Sequence, residues 1–164
     1  MKKLFLALLI AFSISAYAAT IPVDGGWQSF SFGATGSVNS FDYTAATPVD
    51  IRIVDCCVIG DEFSVSLNGG AGVPTSDSQP WTGISTSGAF DGDDAWADPR
   101  LSHLTLAGPG GYNTIDTTVT INAAGFPDGG AAFIRVDSAV PEPGVFGLLG
   151  IGLSALALLR RRLA

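Results

Sequence analysis

Four carboxylates crowd one short stretch, Asp91-Gly92-Asp93-Asp94 with Asp98 close behind. Calcium takes six to eight oxygens from flexible loops, so an acidic loop containing glycine is a candidate Ca2+ site. The spacing is not that of an EF-hand and no closing Glu follows, so the competing reading is a solvated loop that keeps an edge soluble. Cys56 and Cys57 are adjacent and are the only cysteines. In an oxidising compartment they can be two buried thiols, a vicinal ring or one intermolecular bridge. Neighbours on a strand point to opposite faces, so buried thiols at a strand end are the expected state. His103 is the sole histidine. Zinc sites need more Cys and His than this chain has.

A Ser–His–Asp triad would have to recruit His103. No Gly-x-Ser-x-Gly elbow occurs, and Gly83-Ile84-Ser85-Thr86-Ser87-Gly88 does not form one. No Walker-type phosphate loop appears either. The chain therefore reads as non-catalytic and without a cofactor, with a small secreted hydrolase as the remaining enzymatic alternative. Trp27, Trp81 and Trp96 are the candidate sugar platforms, because an aromatic face stacks on a pyranose while nearby carboxylates hold its hydroxyls. Trp81 and Trp96 flank the acidic stretch, so a carbohydrate-binding module, calcium-dependent or not, is the alternative function. The competing reading is that each tryptophan covers an end of the core.

The elements that must position these residues are strands. Trp27 to Phe32 alternates apolar and polar residues. Val49, Ile51 and Ile53 alternate with Asp50 and Arg52, and Phe63, Val65 and Leu67 with Ser64, Ser66 and Asn68. Leu104 and Leu106 flank Thr105, Val119 and Ile121 flank Thr120, and Phe133 to Asp137 closes the series. Period two with β-branched and aromatic residues marks half-buried strands. Turn signals recur at Asn68-Gly69-Gly70, Gly108-Pro109-Gly110-Gly111 and Asp128-Gly129-Gly130. No helical stripe is evident over 19–140. Seven or eight such strands predict an all-β fold, an antiparallel β-sandwich of jelly-roll type.

The two ends differ from this middle. Residues 1–18 read as a signal peptide: Lys2 and Lys3, an apolar run over 4–12, and a small-x-small cleavage site. Ala16 and Ala18 flank that site, and Ala19 becomes the new N-terminus after signal peptidase. The domain then spans 19–139. Three arginines in it face fourteen acids, a net charge near −11. That balance excludes nucleic acid as a partner, which needs a basic patch. It favours solubility, cations and hydrated polysaccharide.

Residues 140–144, Val-Pro-Glu-Pro-Gly, form an extended strip, because two prolines fix φ and deny a helix any earlier start. An apolar run over 145–159 follows, then a basic tail over 160–164. Fifteen helical residues reach roughly 22 Å against about 30 Å of hydrocarbon, so insertion is marginal. Arg160, Arg161 and Arg162 supply the retention signal, since positive charge stays on the cytoplasmic side. The expected frame is thus a signal helix, the sandwich and a single transmembrane helix.

Pro141-Glu142-Pro143, a short apolar span, an arginine cluster and a signal peptide together resemble the PEP-CTERM sorting signal over 140–164. The resemblance implies export and a pause in the inner membrane. It also implies processing by an exosortase, a membrane-embedded transpeptidase-like cysteine enzyme that recognises residues 141–143. Members are associated with exopolysaccharide, and the implied destination is the cell surface or the extracellular matrix. The stretch from Asp55 to Leu67, with Gly60-Asp61 before a strand, is also similar to passenger domains of this group. Those passengers lend no activity.

Overall fold

The computed structural model describes residues 18–77, 91–123, 126 and 128–139. Nine strands and one short helix run in the order β1 (Ala19–Thr20), β2 (Gln28–Phe32), β3 (Val38–Ala45), β4 (Val49–Cys56), β5 (Glu62–Leu67), β6 (Val73–Pro74), α1 (Gly92–Ala97), β7 (His103–Gly108), β8 (Gly111–Ile121) and β9 (Gly130–Ser138). They form two sheets, β1-β3-β8-β5-β6 and β2-β9-β4-β7. All pairings are antiparallel except β1 with β3. From β1 to β5 each strand lies in the sheet opposite its predecessor, and only β5 and β6 are sequence neighbours within one sheet. That alternation makes the all-β sandwich, wound in jelly-roll order.

The period-two pattern explains which side chains meet. In β4, Val49, Ile51 and Ile53 point inward, and in β8 Ile115 and Val119 do the same. Phe32, Phe41 and Phe63 join them with Phe30, whose ring meets Phe41 edge-on at 4.9 Å. Each fully buried side chain of this size contributes roughly 1.5–3 kcal/mol. A second cluster of Val54, Ile59, Ala95 and Leu101 lies apart from this core, with Trp27, Trp96 and Phe133 against it.

Two expectations change. Among the described residues the strands number nine, because β3 and the two-residue β1 and β6 carry little pattern of their own. A helix, α1, stands where none was expected. Asp91 caps it: the Asp91 side chain accepts the Asp94 N–H at 2.9 Å. Six residues are too few to display a 3.6-residue period, but the cap and the following Ala95-Trp96-Ala97 suffice once Ala95 and Trp96 find apolar partners.

Candidate functional site

The end of the sandwich where the chain exits is built from β9. Ser138 N–H and its hydroxyl both donate to Asp24, at 2.8 and 2.8 Å, and Ala139 N–H donates to the Pro48 carbonyl at 2.9 Å. The bonds from Ser138 hold the Asp24 carboxyl below the usual carboxylate range. The neighbouring loops are tied from inside. The buried Tyr43 hydroxyl donates to Pro109 O at 3.0 Å. Asn113 Nδ2 faces the carbonyls of Pro109, Gly110 and Gly111 at 3.2, 3.4 and 3.2 Å.

The opposite end holds two buried carboxyls. Asp55 is 0% exposed and Asp61 1%. Asp55 accepts the N–H groups of Cys56 at 2.7 Å and Asp61 at 3.3 Å, and Asp61 accepts the N–H of Ala123 at 2.7 Å. Burial, and then the neighbouring Asp61, push Asp55 up to about 9. Burial raises Asp61 as well. The two carboxyls therefore share a proton at neutral pH, since two buried negative charges side by side are untenable. Ser102 Oγ donates to Asp61 O at 2.6 Å and adds a further tie.

Cys56 and Cys57 follow directly, and here the thiol expectation is corrected: they form a vicinal disulfide. The chain leaves the strand at Cys57, whose φ of 71° turns its side chain away from the strand's alternation. Cys56 is buried and Cys57 exposed.

The acidic stretch does not converge on a point. Asp91 caps α1. Asp93 Oδ1 accepts the Trp27 indole N–H at 2.8 Å, and Arg135 stands 3.9 Å from the same oxygen. Asp98 is bonded to Arg100 at 2.7 Å, which lowers its pKa, and Asp94 is exposed. Among the described residues no group of three or more Asp, Glu, His or Cys side chains is arranged to hold a metal ion.

Trp96 lies 5.7 Å from Trp27 and 5.1 Å from His103, on the outer side of the four-stranded sheet. The guanidinium of Arg52 lies 5.7 Å over the Trp96 ring and that of Arg135 6.0 Å over Trp27. Arg135 is in turn held by Asp137 at 2.7 Å. This is a joined aromatic and ionic layer more than an open sugar platform. His103 Nδ1 faces Leu101 O at 3.2 Å.

Several sequence-predicted residues lie outside the described set: Ala16, Trp81, Pro141, Glu142, Pro143, Arg160, Arg161 and Arg162, with the whole 145–159 run. Ala18 and Ala19 are described, and β1 begins at Ala19. Among the described residues no helix is long and apolar enough to cross a membrane. The buried Asp55–Asp61 pair escaped the sequence reading. Its signals were Asp55 following Ile53-Val54 at the end of β4 and the Gly60-Asp61 step before β5, noted in the sequence only as a similarity to passenger domains.

Residues 139–162 match the PEP-CTERM protein-sorting motif. The chain thus carries an exosortase-substrate sorting signal, which marks an exported protein anchored in a membrane before processing. No curated protein is a significant match to the chain. Among solved structures it is similar to the pre-peptidase C-terminal domain of a Bacillus anthracis collagenase, at 14% identity and a TM-score of 0.37, over 73% of this chain and 93% of that one. It is also similar to a Podospora anserina GH26-CBM35 β-(1,4)-mannanase, at 15% identity and a TM-score of 0.34, over 71% of this chain and 29% of that one. Likenesses this distant fix neither activity nor ligand.

Proposed function

We propose that this chain is a non-catalytic protein of the cell surface or extracellular matrix, associated with exopolysaccharide. Signal peptidase releases Ala19, and residues 145–159 hold the protein in the inner membrane with the sandwich outside the cytoplasm. An exosortase then acts at Pro141-Glu142-Pro143. The match of residues 139–162 to the sorting motif carries this reading. The fold supports it: β1 begins at Ala19 and β9 ends at Ser138, so both processing points lie at or beyond the edges of the strands.

Intact mass of the protein recovered from its native host tests the reading. The expected species begins at Ala19 and lacks the tail. A full-length chain, free in the cytosol with its last residues attached, overturns it. A sugar-binding function at Trp96 has less behind it, because Arg52 would have to leave the ring before a pyranose could stack on that side. A glycan array with the Trp96→Ala variant as control tests that alternative.

A further inference from the structure

Among the described residues three other than glycine have a positive φ: Asp24 at 58°, Cys57 at 71° and Asn68 at 52°. Asp and Asn enter the left-handed region readily, whereas cysteine has no such preference. Val58 N–H donates to Cys56 O at 2.7 Å, so a three-residue turn closes around Cys57. With a positive central φ this is the rare, strained form of that turn. A strained residue of an unexpected type is a reason to look for a function. Here that residue is one half of the Cys56–Cys57 disulfide.

The two halves of the bond are held differently. Cys56 is 4% exposed, pairs with Ala131 in the β4–β9 ladder and gives its N–H to Asp55 Oδ1 at 2.7 Å. Cys57 is exposed and belongs to no strand. Two residues on, the chain is fixed again. Ile59 is buried in the second apolar cluster, and Asp61 N–H donates to Asp55 Oδ2 at 3.3 Å. One half of the bridge is thus open to solvent, and the chain on both sides of it is anchored by contacts that do not involve the bond. A bridge between neighbours encloses almost no chain, so the sandwich does not depend on it.

We propose that the Cys56–Cys57 disulfide is a reversible thiol-exchange site, at which Cys57 accepts a low-molecular-weight thiolate and Cys56, kept in the sheet, is the resolving group. An incoming R–S⁻ attacks Cys57 Sγ. The bond to Cys56 breaks, the Cys56 sulfur leaves with the electron pair and takes a proton from water, and Cys57 is left in a mixed disulfide with R. Return of Cys56 as thiolate onto Cys57 Sγ expels R–S⁻ and closes the ring again. Attack of a second thiolate on the R sulfur instead expels Cys57 and leaves a dithiol. Two thiols are then oxidised to RSSR, while the protein gains two electrons and two protons. Opening the ring releases Cys57 from the covalent tie that keeps it in its left-handed turn. Relief of that turn favours opening, and the fixed place of Cys56 favours closure. The site goes beyond the surface role proposed above and does not depend on processing at 141–143.

Thiol chemistry on the folded, full-length protein tests this, with glutathione as the probe. Alkylation of the protein recovered after export, without reductant, should find no free thiol. Reduced glutathione should then open the bond at a rate that low concentrations of urea do not change, and oxidised glutathione should restore it, with the circular dichroism of the sheets constant throughout. Samples quenched in acid should carry one glutathione on Cys57, located by fragmentation of the peptide. Single variants separate the two sulfurs. The Cys57 thiol in Cys56→Ala should react with an aromatic disulfide reagent about a hundredfold faster than the Cys56 thiol in Cys57→Ala, because exposure governs access to the thiolate. Should either variant fail to fold, the position of the wild-type adduct decides the same question. Free thiols in the exported protein, an opening rate that climbs with urea in step with unfolding, an adduct on Cys56, or equal reactivity of the two variants each overturn the proposal.

Discussion

At the exit end the carbonyls of Pro109, Gly110 and Gly111 are held by neutral side-chain donors, whereas at the far end the N–H groups of Cys56, Asp61 and Ala123 are held by buried carboxyls. Tyr43 and Asn113 reach out to Pro109, Gly110 and Gly111; Asp55 and Asp61 receive Cys56, Asp61 and Ala123. Both arrangements give loop backbone groups that no strand ladder satisfies a side-chain partner. Their costs differ. A phenol and an amide are neutral across the physiological range. Two buried carboxyls must retain a proton between them, and that proton ties the far end to pH.

The comparison breaks first on stability. Asp55→Ala strips two buried N–H groups of their acceptor and leaves Asp61 without its partner, so chemical denaturation should show a loss of about 3–5 kcal/mol. Tyr43→Phe removes one neutral bond to Pro109 and should cost about 1–1.5 kcal/mol. Equal losses, or the reverse order, would end the distinction between the two ends.

The next effect is on pH. Asp55 binds its proton more tightly folded than unfolded, so folding takes up protons between the ordinary carboxylate range and about 9. Stability from this group is therefore greatest in acid, and falls as pH rises toward 9. Melting temperatures measured from pH 5 to 9.5 should decline in the wild type and in Tyr43→Phe alike. In Asp55→Asn, a neutral stand-in for the protonated acid, the decline should flatten. A wild type whose melting temperature rises through this window would refute the shared proton.

Smaller still is the disulfide. A bridge between adjacent residues closes almost no loop of chain, so reduction, followed by thiol counting and remelting, should change stability by about 1 kcal/mol or less. Least of all should be calcium. With Asp91 used as a helix cap, Asp93 on Trp27 and Asp98 on Arg100, adding calcium or a chelator should leave the melting temperature where it was. A rise with calcium would mean that the acidic residues converge after all.

The sequence displayed the strands that line the core, because Val49, Ile51 and Ile53 or Phe63, Val65 and Leu67 alternate with polar neighbours. It hid β3, where Phe41, Tyr43 and Ala45 are the buried set but the strand opens on an exposed Val38 and places polar Asn39 on the inward parity. It hid the helix, since a run of aspartates looks the same as a loop or as a capped first turn. The carboxyl pair was hidden for a different reason. Nothing in Asp55 or Asp61 themselves distinguishes them from a dozen other acids. Their burial is decided by Ala123 and Ser102, which lie far along the chain. The vicinal ring likewise depends on a left-handed turn at Cys57 that composition does not announce. The sorting strip was the most legible feature, because it is read as a linear string and owes nothing to tertiary contacts.

β2 pairs with one neighbour only, and that neighbour is β9. A polypeptide threaded out of the cell with its N-terminus leading delivers Gln28–Phe32 early and Gly130–Ser138 last. Until those final nine residues clear the translocation channel, the four-stranded sheet has a gap at its centre and β2 has nothing to zip against. Completion of the fold and arrival of the sorting strip at the membrane are thus one event in time, and the domain cannot mature ahead of the address label attached to it.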